Sequence, residues 1–252
     1  YQDGAWSDRY LGEANPEIGE KTREGLVYDL ASVSKVLGVG TVLSFLWSEG
    51  KLELDQSIKV YLPETDYPDI TIRQLLTHAT DLDPFIPNRD QLSSDQLREA
   101  MFHLNRREKR AFLYSDVHFL LLGFLLESYF KKDLDQILQE QVLDPWNMKG
   151  TQFGPVSRAV PTVHGQRAGV VHDPKARLLG KHAGSAGLFS TVKDLKIFLE
   201  HYLQDDFAAD LSQNFSDLND KERSLAWNLE GEWLDHTGYT GTFIMWNRKK
   251  QE

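Results

Sequence analysis

The middle of the chain carries apolar residues three or four positions apart, in runs separated by polar segments. Such spacing is typical of amphipathic or buried helices. The runs predict helices over the ranges 33–48, 71–79, 93–104, 117–130, 132–146 and 191–203. The range 117–130 is apolar on nearly every face and therefore predicts a buried central helix. Ser93 or Ser94, and Thr191, stand where N-cap residues of two of these helices belong.

Short apolar runs and glycine-separated alternation mark the two ends of the chain. Residues 1–30 are predicted as strands and loops, and residues 224–250 as antiparallel strands. We therefore predict an α+β fold, an α/β sandwich in which helices flank an antiparallel sheet, with an inserted, mostly helical region. Residues 1–55 together with 186–252 form the predicted sheet domain, in which the terminal strands join in one sheet. Residues 56–185 form the predicted helical and loop-rich inserted domain.

Composition and charge exclude several classes of function. The 252-residue chain has a formal net charge of −10, which argues against a general nucleic-acid binder. It has no cysteine, so disulfides, thiolate nucleophiles and cysteine-ligated zinc are excluded. The apolar run 119–130 is too short to span a bilayer and contains Glu127. We expect no nucleic-acid partner and no membrane span in this chain, and the sequence leaves the compartment open.

The pattern Ser-x-x-Lys occurs at Ser32–Lys35, Ser48–Lys51, Ser128–Lys131 and Ser190–Lys193. Only the first pair has small and apolar neighbours and opens an apolar helix. Residues three apart share a helical face, so the Ser32 hydroxyl and the Lys35 ammonium can meet. Partial burial would lower the pKa of Lys35 and make it a base toward Ser32. Taken alone, however, the stretch favours an N-cap serine and a lysine whose ammonium reaches water.

Two later stretches carry residues suited to the same chemistry. Tyr114 and Asp116 in YSD precede the central apolar helix, and HTG at 236–238 lies among apolar strand residues. Gly238 and Gly241 would permit close backbone approach by a ligand. The structural alternatives are a core tyrosine with a capping aspartate and a β-bulge or hairpin.

The three stretches together, SVSK (32–35), YSD and HTG in this order, resemble the motifs of the serine β-lactamase and penicillin-binding-protein superfamily. Neighbouring stretches are similar to the class C-like branch of esterases and D-Ala-D-Ala carboxypeptidases: LASVSKV, IRQLLTHATDL, YSDVHFLLLG, VHDPKARLLG and AGLFSTVKDL. The resemblance covers nearly the whole chain. It implies further strands and a helix beyond the present end and a helix before the start, so we expect a shortened chain.

The resemblance also implies residue roles. Ser32 would be the acylated nucleophile, Lys35 its base or proton shuttle, and Tyr114 a second general acid or base. The backbone N–H groups of Ser32 and Tyr239 would form the oxyanion hole. The remaining residues implied to contact substrate are Asp116, His236, Thr237, Gly238 and Tyr239.

The implied reaction proceeds through an acyl-enzyme on an ester, a D-Ala-D-Ala-type peptide or a β-lactam, without cofactor or metal. His236 stands where penicillin-recognising members carry lysine, and Asp116 where asparagine is common. Both changes weaken attraction of a substrate carboxylate, since histidine is mostly neutral at pH 7. We therefore expect D-Ala-D-Ala carboxypeptidase-like or esterase activity with weak or no β-lactam turnover. The alternative is a catalytically silent module that binds peptidoglycan peptides or β-lactams.

Two other classes of hydrolase are disfavoured. His164, His172, Asp173 and His182 lie in one loop-rich segment, but their spacing matches no helical zinc motif, and we predict loop and cleft-rim positions for them. AGSAG at 183–187 has alanine where a nucleophile elbow needs glycine, which argues against an α/β-hydrolase.

Overall fold

A computed structural model of the chain describes residues 1–2, 4–162 and 167–252. In these residues the helices are α1 (Val33–Lys35), α2 (Thr41–Ser48), α3 (Ile72–Leu76), α4 (Ser94–Phe102), α5 (Asp116–Phe130), α6 (Leu134–Leu138), α7 (Pro174–Leu179) and α8 (Val192–Gln204). Turns of π-helix occupy Val36–Gly40 and Gln139–Leu143. Short 3₁₀ turns occupy Ile58–Val60, Arg89–Gln91, Gly180–His182 and Asp206–Ala208. The predicted helices are confirmed, with 132–146 divided into α6 and a π-helical turn.

The strands are β1 (Glu13–Asn15), β2 (Glu20–Lys21), β3 (Val27–Asp29), β4 (Gln152–Phe153), β5 (Leu188–Thr191), β6 (Asn228–Glu230), β7 (Trp233–Thr237) and β8 (Phe243–Trp246). They pair antiparallel in three sheets, ordered β1-β2, β3-β5-β4 and β6-β7-β8. Within the described residues the α+β class is confirmed, but the prediction of one sheet joining both termini is wrong.

Hydrogen bonds from threonine side chains, rather than backbone pairing, connect the end of β3 to the segment after β7. Thr240 Oγ1 donates to the carbonyl oxygen of Asp29 at 2.7 Å, and Thr242 Oγ1 to that of Leu30 at 2.9 Å. These carbonyl groups at the end of β3 therefore bind the turn after β7 without strand pairing. The N-terminal and C-terminal strand regions therefore still contact each other, at the point where β3 leads into α1.

The first helix is continuous from Val33 to Ser48 because the π-helical turn joins α1 to α2. Close packing requires glycine inside that turn. A Cβ added at Gly40 would lie 2.7 Å from Ala226 Cβ and 2.9 Å from the carbonyl oxygen of Lys35. The hydroxyl of Thr41 donates to the Val36 carbonyl oxygen at 2.7 Å across the same turn.

The central helix α5 starts with a local cap. Ser115 Oγ accepts the backbone N–H of Val117, and residues 117–126 of the helix are all buried. Similar caps begin α4, where Ser93 and Gln96 form a capping box, and α8, where Thr191 accepts the N–H of Asp194. The cap at Ser115 fixes Tyr114 and Asp116 immediately beside the core.

One apolar core joins the elements, with Leu30, Leu121, Leu188 and Trp246 among its buried members. It includes residues of both predicted domains, and the two-domain division stays a prediction. No helix in the described part of the chain is both long and apolar enough to cross a membrane.

Candidate active site

Ser32 lies in the short connection between β3 and α1, after a residue with strained backbone. Ala31 has φ 45°, in the left-handed region that costs a non-glycine residue energy. The buried carboxylate of Asp29 supports this turn: Oδ1 accepts the N–H of Ala31 at 2.9 Å and Oδ2 that of His172 at 2.7 Å. Ser32 occupies the N-cap of α1 but makes no side-chain cap bond, which leaves its hydroxyl available.

Lys35 is fully buried, and its ammonium group donates the maximum of three hydrogen bonds. Each of three acceptors, Ser32 Oγ, Asp116 Oδ1 and the carbonyl oxygen of Ser185, lies 2.8 Å from Nζ. An ammonium group has three N–H donors, so none is left over. Burial alone would lower the pKa of Lys35, but the charges of Asp116 and Tyr114 and the hydrogen bond to Asp116 outweigh it and raise the pKa. The predicted net decrease of this pKa is therefore wrong, because the prediction omitted Asp116.

Asp116 stands between two lysines at the start of α5. Its Oδ1 binds Lys35, and its Oδ2 lies 3.0 Å from Nζ of Lys175. Burial opposes the carboxylate charge, but the two ammonium groups prevail and lower the pKa of Asp116 to about 2. The carboxylate is therefore ionised across the neutral range. Lys175 also lies 3.4 Å from Asp173 Oδ2 and has a side chain only 13% exposed.

Tyr114 presents its ring beside Lys35, with Nζ 5.1 Å from the ring centroid. The tyrosine ring also lies beside two imidazole rings, with centroid distances of 4.6 Å to His78 and 6.0 Å to His236. The tyrosine is 42% exposed. It therefore borders the cleft while histidines support its inner side.

A buried histidine pair holds the residue between Tyr114 and Asp116. The backbone N–H of Ser115 donates to Nδ1 of His78 at 3.3 Å, so this nitrogen is an acceptor. His118 Nδ1, 2.8 Å from the same atom, must then donate, and its Nε2 accepts from the hydroxyl of Thr80 at 2.8 Å. Desolvation, with Arg107 next, lowers the pKa of His118 to about 3, so the pair is neutral.

His236 does not line the cleft, in contrast to its predicted position. It is 2% exposed, and Nδ1 donates to the carbonyl oxygen of Thr237 at 2.9 Å. Desolvation, followed by the charges of Lys35 and Arg223, lowers its pKa to about 3. The imidazole is therefore neutral and supports Tyr114 from behind.

The cleft beside Ser32 has a volume of 460 Å³. Its lining residues are Ala31, Ser32, Tyr114, Asp116, His172, Asp173, Ala186, Thr237, Gly238 and Tyr239. The ring of Tyr239, 84% exposed, stacks on His172 with centroids 4.7 Å apart. In the described residues the backbone N–H groups of Ser32 and Tyr239 donate no hydrogen bond to the protein. Both donors are thus available to a ligand.

The histidines of the loop-rich segment separate in the structure. His172 and Asp173 lie at the cleft, whereas His182 Nδ1 lies 2.5 Å from Glu127 Oε1. Glu127 and Asp133 already form ion pairs with Arg98 and Lys181. His164 lies outside the described residues.

Sequence reasoning missed Asp29, Lys175 and Ser185, which hold Ser32, Asp116 and Lys35 in place. Lys175 could have been identified from the sequence, since it lies in VHDPKARLLG, one of the stretches that supported the resemblance. No local signal identifies the Ser185 carbonyl group, which meets Lys35 from 150 positions away.

Comparison with known proteins gives one consistent result. The sequence profile described as Beta-lactamase matches residues 1–251. A protein of Escherichia coli (strain K12), named "Putative D-alanyl-D-alanine carboxypeptidase", is 28% identical over 94% of this chain and 70% of its own length. A β-lactamase/D-alanine carboxypeptidase of Pseudomonas syringae superposes with a TM-score of 0.75 at 17% identity, over 96% of this chain and 82% of that chain.

A class C β-lactamase of known structure shares the same fold, with a TM-score of 0.73 at 17% identity over 96% of this chain and 79% of that chain. The predicted β-lactamase/transpeptidase-like fold is thereby confirmed. The profile match extends over all the segments that build the cleft, from Ser32 to Tyr239. This chain therefore belongs to the β-lactamase family and is a serine hydrolase.

Proposed function

We propose that this protein transfers acyl groups through an acyl-enzyme on Ser32. The observation that carries the proposal is the 2.8 Å hydrogen bond between Ser32 Oγ and the buried ammonium of Lys35. A serine hydroxyl becomes a useful nucleophile when an adjacent group can manage its proton. The free N–H groups of Ser32 and Tyr239 would bind the oxyanion that forms during attack.

The proton path follows from the saturated ammonium. Lys35 with three donated protons cannot accept a fourth, so the reactive form has lost one proton from the Lys35–Tyr114 pair. That form takes the Ser32 proton as Oγ attacks the carbonyl carbon and returns it to the leaving group. Water then resolves the acyl-enzyme by the same path in reverse.

The substrate proposed is a D-Ala-D-Ala-type peptide or a neutral ester, with weak or no β-lactam turnover. The peptide is supported by the name of the E. coli relative. The ester is supported by charge, because the described residues that line the cleft include Asp116 and Asp173 but no lysine or arginine. A substrate carboxylate would meet these two acidic groups directly, whereas their partners Lys35 and Lys175 lie behind the lining. The neutral His236 adds no cation.

The test is covalent labelling followed by turnover. Wild type, Ser32→Ala and Ser48→Ala are treated with a fluorophosphonate and weighed intact. Ser48 is the matched control, since it heads another Ser-x-x-Lys pattern on the surface. We expect one adduct on wild type and Ser48→Ala and none on Ser32→Ala. The same three proteins are then assayed on p-nitrophenyl esters, a D-Ala-D-Ala peptide and nitrocefin.

Each result has a definite meaning. If the folded wild type reacts with neither the fluorophosphonate nor a fluorescent penicillin, the assignment of Ser32 as the nucleophile is refuted. A protein that binds the D-Ala-D-Ala peptide or a β-lactam but forms no adduct is the silent binding module. Rapid nitrocefin turnover would contradict the proposed substrate preference.

A further inference from the structure

Lys175 is an unusual residue for its position. It is the second residue of α7, after the N-cap Asp173 and Pro174. A cation in the first turn of a helix is disfavoured, since the backbone N–H groups there carry partial positive charge. Its side chain is also 13% exposed, which is costly for an ammonium group without partners. Helix formation does not account for a lysine at this site.

The partners of Lys175 belong to the catalytic cleft. Its Nζ lies 3.0 Å from Asp116 Oδ2 and 3.4 Å from Asp173 Oδ2, and both aspartates line the cleft. Asp116 Oδ1 binds Lys35, which binds Ser32. A continuous chain of hydrogen bonds and ion pairs therefore runs from Lys175 to the nucleophile. One carboxylate is shared by two ammonium groups.

Sharing changes what Asp116 does to Lys35. A carboxylate held by Lys35 alone would bind its ammonium more tightly, and proton movement between Lys35, Tyr114 and Ser32 would become harder. It would also leave one carboxylate oxygen facing the cleft with no cation. We propose that Lys175 is a positioning residue for acyl transfer, which binds the outer oxygen of Asp116 so that the inner oxygen aligns Lys35 on Ser32. This proposal rests on the proposed acyl-enzyme at Ser32.

The experiment compares the rates at which a p-nitrophenyl ester acylates Ser32 in a mutant cycle: wild type, Lys175→Met, Asp116→Asn and the double variant. Asparagine keeps an oxygen for Lys35 but needs no counter-charge. We expect Lys175→Met to acylate at least about tenfold more slowly, and the double variant to recover most of this loss. A role of Lys175 in packing α7 would instead persist in the Asp116→Asn background.

The pH dependence gives a second readout. Besides Asp116 and Tyr114, the titratable groups that interact electrostatically with Lys35 include His78, His118 and His236. Removing the Lys175 charge leaves these groups in place and strengthens the hold of Asp116 on the Lys35 proton. The pH at which acylation reaches its plateau should rise in Lys175→Met and fall in Asp116→Asn.

Controls separate the possible failures. Lys181→Met is the matched control, since Lys181 is half exposed and pairs with Asp133 away from the cleft. It should acylate like wild type. Lys175→Gln, which keeps a donor without the charge, replaces Lys175→Met if that variant does not fold. Unlabelled wild type refutes the acyl-enzyme itself. Labelled wild type with equal rates in Lys175→Met, or strictly multiplicative losses in the cycle, refutes the role of Lys175.

Discussion

The carboxylate of Asp29 accepts a hydrogen bond of 2.9 Å from the backbone N–H of Ala31, the residue that holds φ 45° directly before Ser32. The other carboxylate oxygen accepts the N–H of His172, which stacks on Tyr239. One buried side chain thus fixes the strained turn of the nucleophile and the opposite rim of the cleft.

Replacing Asp29 by asparagine should impair both. The amide has one acceptor oxygen, so its NH₂ group must face one of the two N–H donors. Leaving a buried donor unpaired costs about 1–3 kcal/mol. We expect urea unfolding of Asp29→Asn to show a loss of this size and acylation to slow at least about tenfold, since the turn before Ser32 relaxes. Unchanged acylation would mean that the Ala31 turn holds without Asp29.

The pKa of Lys35 predicts the pH dependence of acylation. Because this pKa is raised, the protonated ammonium dominates at neutral pH, and the form lacking a proton grows as pH rises. We expect kcat/KM for a neutral ester to increase with pH by up to about tenfold per unit before its plateau. A bell centred below pH 7 in ester hydrolysis assays would contradict the proposed proton path.

Buried neutral histidines predict a loss of stability in acid. The pKa values of His118 and His236 are both lowered to about 3, below their unfolded value. Their contribution to stability is therefore fully present above about pH 6.5 and declines as pH falls toward 3, because the unfolded chain binds the protons first.

The expected slope is about 1.4 kcal/mol per pH unit for each buried histidine below about pH 6. Denaturant unfolding between pH 7 and pH 5 measures it. A His236→Asn variant should show a shallower decline than wild type. Substituting the exposed His103, whose pKa is raised by hydrogen bonds to Asp66 and Glu99, should instead make the decline slightly steeper. Equal slopes in wild type and His236→Asn would show that His236 titrates normally.

Glycine is required at position 238 because the turn after β7 passes very close to the end of β3. A Cβ there would lie 2.5 Å from the carbonyl oxygen of Leu30 and closer still to Thr242 Oγ1. We expect Gly238→Ala to push the turn off β3, displace the Tyr239 N–H and slow acylation at least about tenfold. Release of p-nitrophenol from a p-nitrophenyl ester measures this. Thr242→Ser, which keeps the hydroxyl, is the control and should acylate normally.

Much of the fold, the helices above all, could be predicted from local sequence patterns. The spacing of apolar residues and the caps at Ser93 and Thr191 suffice to define helices, because they depend on neighbours within a few positions. The approach of Ser32 to Lys35 follows from the helical geometry of residues three apart. Tyr114 and Asp116 reach the same place because one cap at Ser115 fixes both.

The errors concern contacts between distant segments. The direction of the Lys35 pKa shift depends on Asp116, 81 positions away. The surroundings of His236 include Tyr114, more than 100 positions earlier in the chain. The separation of the sheets depends on threonine hydroxyls that bind the end of β3. Periodicity in one segment does not encode these relationships.

The pairing of β3 with β5 also has a consequence for biosynthesis. Tyr28 lies opposite Ser190, so the strand leading to Ser32 has no ladder partner until some 160 further residues have left the ribosome. At translation speeds of about 5–20 residues per second, that interval lasts on the order of ten seconds or more. The cleft beside Ser32 is complete only after synthesis has passed Tyr239.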